Sequence, residues 1–347
     1  MPCLRQHLSH FKIFSPSIKR HFYETFREYL MSFFKYIKTV LRNFKNNFFL
    51  LGKFDIQEDI ISRCRTSINQ ARKNIIINYF EINRDEATQY AEEIQYLKTQ
   101  RDLPMIPYAQ VKEMEQAIQA DYDKKMALPY VLHNGKKLFF PKHWSVEDVR
   151  KQYLYFIERE NITGGGFTTK SPHQYQSGDF KIEPGDILLD VGCAEGLVAL
   201  DSIETTKQTI LYESDPIWDA PLKATFEPYK DKVKIINKWV GDKDSTTTTT
   251  LNSSIQGLEN ETFFVKMDIE GAEELVVRGN PDFFKKRKVK VACCTYHKIE
   301  HFENINSIFK DWNYSTSPSD GFVLCFVDNT FMPPFFRKGL IRATNIA

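Results

Sequence analysis

Two apolar runs end in residues that can handle protons. Asp268 and Glu270 follow "FFVKM", and His297 closes "VKVACCTYH". Carboxylates hydrogen-bond hydroxyl groups, and an imidazole with an ordinary pKa near 6.5 can accept a proton at neutral pH. A third run, "DILLDVGCAEGLVAL", carries Gly192 and Gly196 with Cys193, Ala194 and Glu195 between them. Glycines there permit a sharp bend, and the N–H groups opening the next helix can take a carboxylate or phosphate. Asp190, two positions before the first glycine, would repel a pyrophosphate, and the dinucleotide pattern G-x-G-x-x-G is absent. A ligand with both an ammonium and a carboxylate suits the stretch better, and the methionine end of S-adenosylmethionine is such a ligand.

Glu213 in "TILYESD" lies 21 positions after Gly192, near the roughly 20 at which an acid meets ribose hydroxyls. A cap on the helix beginning at Pro216 is the plainer reading of the same residue. Asp242 in "KWVGDKD" could reach an adenine amino group or simply form a turn. His173 and Tyr175 in "SPHQY" precede the first sheet strand and could close over the ligand.

Charge at the end of a buried strand is costly unless it faces a polar cleft, so Asp268 and Glu270 are expected to line one and to hydrogen-bond an acceptor diol. Glu273 and Glu274 fall in a first helical turn, where the dipole favours negative charge by about 0.3–1 kcal/mol. Lys266 reads as a buried stem with its charge neutralised. Asp268, Glu270 and His297 could instead hold a divalent ion, but their spacing does not demand it, and no metal is expected.

These residues need a scaffold that brings strand ends together. From "DILLDVG" onward strand and helix alternate: "TILYE", "KVKIINKWV", "TFFVKMD" and "VKVACCTYH" are strands, "PIWDAPLKATFEPY" and "ENINSIFKDW" helices, and "GFVLCFVD" a terminal strand. Such alternation predicts an α/β fold with a mainly parallel, Rossmann-like sheet between helices, whose ligand sits beyond the carboxyl ends of the strands. Upstream, helices are expected at about Asp85–Gln100 and Val146–Arg159, the latter capped by Ser145, with an amphipathic segment from Ala109 to Lys125. Asn134-Gly135 marks a hairpin in "LPYVLHNGKKLFFP". Three regions follow: a basic amphipathic helical region at 1–80, a mostly helical accessory region with the hairpin at 81–170, and the Rossmann-like domain at 171–347.

In the first region Leu30, Phe33, Phe34, Ile37, Leu41, Phe44 and Phe48 share one helical side, with Arg27, Lys35, Lys38, Arg42 and Lys45 over much of the rest. Residues 27–52 are therefore expected either to touch an anionic membrane surface or to dock on protein, including a second copy of the chain. The net charge of +2 gives no argument for nucleic acid, and none is expected as a partner. No apolar run is long enough to span a membrane. Six cysteines without paired metal spacing point to reduced thiols, so a cytoplasmic protein, peripheral to the inner face of the membrane if the helix binds lipid, is the expectation.

"LLDVGCAEG", "FFVKMDIEGAE" and "CCTYH" together resemble the FkbM family of S-adenosylmethionine-dependent methyltransferases, over roughly Ser171 to Asp328. The resemblance implies a class I methyltransferase fold and O-methylation, with cofactor contacts at Asp190, the Gly192–Gly196 loop and Glu213. Family acceptors vary and are often sugars, which makes a saccharide or cell-surface glycan the expected acceptor. Two other classes stay open: a non-catalytic glycan- or membrane-associated partner of a biosynthetic enzyme, and a nicotinamide oxidoreductase, against which the missing third glycine counts.

Overall fold

The computed structural model describes residues 53–325 and 331–346. The basic helix expected at 27–52 lies outside the described residues. The chain divides into two compact units, one ending at Ile82 and taking in Arg101–Leu103, the other comprising Asn83–Gln100 and everything from Pro104 onward. In the first, Lys53–Ile82 forms one long helix, α1.

The second unit is built on a seven-stranded sheet. Its strands are β4 (Ile187–Val191), β5 (Gln208–Tyr212), β6 (Val233–Ile236), β9 (Thr262–Met267), β10 (Lys288–Cys294), β11 (Ser315–Pro318) and β14 (Leu340–Thr344). Their order is β11-β14-β10-β9-β4-β5-β6, with β14 antiparallel to both neighbours and the other pairs that flank β4, β5, β9 and β10 parallel. The chain runs from β4 outward through β5 to β6, then crosses back to β9 on the other side of β4. The strand order thus reverses between β4 and β9, and an open sheet gathers its ligands at that point.

Period-two alternation sorts the side chains. Ile187, Leu189, Val191, Phe263, Val265 and Met267 enter one core with Val276, Phe283 and Ile305. Leu188, Phe264, Ala292 and Cys294 enter the other. Phe263 and Phe264 have no exposed surface, and each such burial stabilises by about 1.5–3 kcal/mol. Helices α4 (Leu197–Asp201), α5 (Asp219–Phe226), α6 (Leu251–Ser254), α7 (Glu273–Gly279), α8 (Pro281–Lys286) and α9 (His301–Asp311) provide the flanking layers.

Upstream, α2 (Ala91–Thr99) confirms the acidic helix, and α3 (Val146–Leu154) starts at a capping box in which Ser145 and Asp148 satisfy each other's backbone N–H groups. It ends in a π-helical turn, Tyr155–Arg159. The expected hairpin is β2 (Leu128–His133) with β3 (Lys136–Phe139), and Asn134 and Gly135 both take positive φ at the reversal. Val131, Leu138 and Val149 share the core of Leu188 and Leu200, so the hairpin and the parallel sheet are covered by one another.

Three expectations need correction. Ala109–Lys125 is not a helix: Gln110 bridges to Thr168, and Ala120–Asp123 forms β1, the third strand of the hairpin sheet. "KVKIINKWV" breaks after Ile236, where Lys238 N–H turns back onto the Ile236 carbonyl, and Trp239–Val240 forms the short β7, paired with β8 (Thr248–Thr249). "GFVLCFVD" contributes only Phe322–Leu324, β12, in a two-stranded ladder with β13 (Phe336–Lys338), while the sheet is completed by β14 and β11. Arg342 in β14 is buried, donating to the carbonyls of Gln174 and Tyr175.

Candidate active site

β4 ends at Val191, and the chain bends through Gly192, Ala194 and Gly196, all at positive φ. Gly192 and Cys193 N–H both donate to the Tyr212 carbonyl, tying the bend to the tip of β5. Glu213, the residue after β5, accepts from Ala194 N–H at 3.0 Å with one carboxylate oxygen and from Asp215 N–H at 2.8 Å with the other. The two glycines are required by close protein neighbours. A Cβ on Gly192 would stand 2.0 Å from the Asp268 carbonyl oxygen, and one on Gly196 2.8 Å from the Phe226 ring.

The register of β4 against β9 sets Asp190 directly beside Lys266. Their charged atoms are 3.1 Å apart, both side chains buried, and Lys266 also donates to the Gly192 carbonyl. The ammonium that meets Asp190 here is therefore that of Lys266, whose expected neutralisation is found. Burial pushes the Asp190 carboxyl up; for Lys266 burial acts downward, but Asp190 and Asp268 hold the ammonium above its ordinary value.

Asp268 stands at the tip of β9 among cations. Its Oδ2 accepts from the Tyr175 hydroxyl at 3.0 Å and lies 3.3 Å from His173 Nε2, while Oδ1 lies 3.5 Å from His297 Nε2. Burial pushes this carboxyl up, but the His173 hydrogen bond and charge, then Lys266 and His297, bring it well below the usual carboxylate range. His173 is held from behind by the buried Glu160. Tyr175 is buried, which keeps its phenol protonated as the donor to Asp268.

His297, at the tip of β10, is gripped on its other nitrogen: Nδ1 lies 2.9 Å from Glu273 Oε1. Glu273 opens α7, has no exposed surface, and also accepts from Ile269 N–H at 2.9 Å. Burial lowers the His297 pKa, but Glu273 and Asp268 outweigh it and the net shift is upward. Glu270 takes positive φ and projects into solvent, 91% exposed, with Oε2 at 3.7 Å from His297 Nε2.

Asp268, Glu270 and His297 thus converge at two adjacent strand tips, and Gly192 touches the backbone that carries them. Cys193, Glu195 and Gly196 are buried in the bend, and Ala194 is half-buried. Burial pushes the Glu195 carboxyl up to about 7. Asp242 lies apart from these groups, exposed after β7 and packed against Gly279. Tyr175 sits beneath Asp268 rather than over the bend. Glu274 pairs with Arg278 and accepts from Asn304. Sequence reasoning missed Glu160, since nothing in "FIERENITGG" marks its contact with a histidine 13 positions away.

The fit to S-adenosylmethionine rests on the bend. Gly192 and Ala194 are half-exposed at the switch point, with the half-exposed Glu213 carboxylate at the edge of the bend, while the N–H groups of both residues are engaged by Tyr212 and Glu213. The sheet order, the antiparallel β14 and the glycine bend after β4 define a Rossmann-like fold of the class I methyltransferase kind. The family model described as the methyltransferase FkbM domain matches residues 171–316.

Among solved structures the chain is similar to the methyltransferase FkbM of Methylobacillus flagellatus KT, at 18% identity and a TM-score of 0.39 over 48% of this chain and 45% of that one. The chain thus spans less than half the length of that structure. It is also similar to the precorrin-6y C5,15-methyltransferase of Geobacter metallireducens GS-15, at 9% identity and a TM-score of 0.32 over 48% and 84%. A third is Streptococcus pneumoniae Sp1610 in complex with S-adenosyl-L-methionine, at 10% identity and a TM-score of 0.31 over 47% and 66%. No curated protein matches the chain. Among the described residues no helix is long and apolar enough to cross a membrane.

Proposed function

We propose that the protein is an S-adenosylmethionine-dependent O-methyltransferase that methylates a hydroxyl of a saccharide or cell-surface glycan. The observation that carries this reading is the contact between the bend at Gly192 and the strand tip at Asp268. A donor seated on the bend has its sulfonium carbon beside Asp268, Glu270 and His297, which are groups suited to polar acceptors. When bound, the cofactor supplies an electrophilic methyl group. The Gly192–Gly196 bend and Glu213 hold it, and Lys266 keeps the bend in shape through the Gly192 carbonyl.

Holding the acceptor oxygen in line with the methyl carbon can contribute about 7–11 kcal/mol. The hydroxyl must also lose a proton, and Asp268, Glu270 and His297 are the groups positioned to receive it or to stabilise the oxygen that loses it. Exposed Glu270 suits an acceptor that approaches from solvent, as a glycan end would. Incubating the protein with methyl-labelled S-adenosylmethionine and fractionated glycans tests the proposal. The expected product is a labelled, base-stable methyl ether on a sugar, and label confined to nucleic acid or protein would refute the saccharide assignment.

A further inference from the structure

We propose that His173 Nε2, Asp268 Oδ2, Cys294 Sγ and the Tyr175 hydroxyl form a closed tetrahedral site for one Zn²⁺ ion. The inference goes beyond the methyl-transfer reading and does not depend on the acceptor.

Three segments bring these atoms together. His173 and Tyr175 come from "SPHQY", Asp268 follows β9, and Cys294 ends β10, so no paired metal spacing shows in the sequence. One ligand atom each from His173, Asp268 and Cys294 lies within 4.8 Å of the other two. His173 Nε2 stands 3.3 Å from Asp268 Oδ2 and 3.5 Å from Cys294 Sγ. The Tyr175 hydroxyl completes the figure, 3.0 Å from both His173 Nε2 and Asp268 Oδ2 and 3.7 Å from Cys294 Sγ. Ligands on a tetrahedral Zn²⁺ ion with bonds of about 2.0–2.3 Å are about 3.3–3.7 Å apart. Five of the six edges of the tetrahedron therefore stand within about 0.3 Å of what the ion requires.

The surroundings are those of a ligating histidine. Nδ1 of His173 is hydrogen-bonded at 2.5 Å to Oε2 of the buried Glu160. That carboxylate keeps the ring proton on Nδ1 and directs the Nε2 lone pair at the other three atoms. His173 is 3% exposed, Tyr175 2% and Cys294 not at all, the enclosure of a structural site with no open position. Lys266, another cation drawn to Asp268, is committed to Asp190. A sulfur ligand beside an imidazole selects Zn²⁺ over Mg²⁺ and Ca²⁺, which take oxygen.

Without the ion these atoms share hydrogen bonds through the Tyr175 hydroxyl. Binding exchanges those for bonds to Zn²⁺: the Cys294 thiol proton and any proton on His173 Nε2 pass to water, and Tyr175 binds as a neutral phenol through an oxygen lone pair. Asp268 is then held by Oδ2, and its Oδ1, which makes no hydrogen bond, stays turned to His297 at 3.5 Å.

The test is binding of Co²⁺, a spectroscopic stand-in for Zn²⁺, to the full chain after chelator treatment. One Co²⁺ per chain is expected, with the visible bands of four-coordinate cobalt and a thiolate-to-cobalt band in the near ultraviolet, and Zn²⁺ should abolish both. Cys294→Ala should lose the thiolate band, whereas Cys293→Ala, whose sulfur enters the opposite core, should keep it. Glu160→Gln, behind His173, should weaken binding about 10–100-fold. Absence of the thiolate band from the wild type at millimolar Co²⁺, or its survival in Cys294→Ala, shows a hydrogen-bonded network only and overturns the site. Should Cys294→Ala fail to fold, equal Co²⁺ affinity in Glu160→Gln and the wild type overturns it instead. Because the readout is spectroscopic, a failed site leaves the methyltransferase reading standing.

Discussion

The backbone carbonyl of Asp268 packs against the α-carbon of Gly192, leaving no room for a side chain: a Cβ there would stand 2.0 Å from the oxygen. One contact therefore joins the donor-side bend to the acceptor-side strand tip. Gly192 also has a φ of +74°, a region in which L-residues cost roughly 1–2 kcal/mol. Gly135 in the hairpin has nearly the same φ, +77°, with nothing within 4 Å of its missing Cβ. Gly135→Ala should lose only the conformational part, about 1 kcal/mol, whereas Gly192→Ala should lose about 3 kcal/mol or more, because backbone must move. Urea denaturation of the two variants checks this, and equal losses would contradict it.

Lys266→Met leaves the Asp190 carboxylate buried without its partner and should cost about 3–5 kcal/mol. Adding Asp190→Leu should recover most of the loss, since replacing both charges by apolar groups is often neutral. A double-mutant cycle by chemical denaturation measures both steps. If the second substitution deepens the loss, the pair stabilises more than this account allows.

Glu195 gives the bend a pH dependence. Its folded pKa of about 7 lies above the ordinary 4.5 because burial disfavours the carboxylate. A folded pKa above the unfolded one means that the carboxyl's contribution is fully present below about pH 4.5 and is lost as pH rises through 7. Glu195→Gln cannot ionise, so it should gain on the wild type between pH 5 and 8, by at most about 3 kcal/mol. Urea midpoints across that range test the sign, and parallel curves for the two proteins would refute it.

Glu213 has a structural bond to Ala194 N–H and, in the proposed complex, contacts to ribose hydroxyls. Glu213→Ala removes both and should weaken S-adenosylmethionine binding at least about tenfold in calorimetry, whereas Glu213→Gln keeps an oxygen to accept from Ala194 and should lose less. Unchanged affinity in the alanine variant would dismiss the ribose contact.

Much of the parallel sheet was legible because its strands are short apolar runs bounded by glycine and acids, and Asp268, Glu270 and His297 all fall where such runs end. The pairing of Lys266 with Asp190 was only half visible. The charge of Lys266 inside an apolar run demanded a partner, but which acid it meets depends on the β4–β9 register, which no local pattern encodes. The His173–Glu160 and Arg342–Tyr175 contacts join residues 13 and 167 positions apart through loops whose course is set by tertiary packing. β14 escaped notice for a related reason: Arg342 interrupts its apolar run and is tolerated only because carbonyls of a distant loop receive it. In Ala109–Lys125, spacing suited to a helix was overridden by the chance to extend the hairpin sheet.

The most direct measurement is an experimental structure of the protein with S-adenosylhomocysteine, read for where the sulfur lies. The account predicts the ligand on the Gly192–Gly196 bend, its ribose at Glu213 and its sulfur turned toward Asp268, Glu270 and His297. A ligand bound elsewhere, or on the bend with its sulfur directed away from those three side chains, would contradict it.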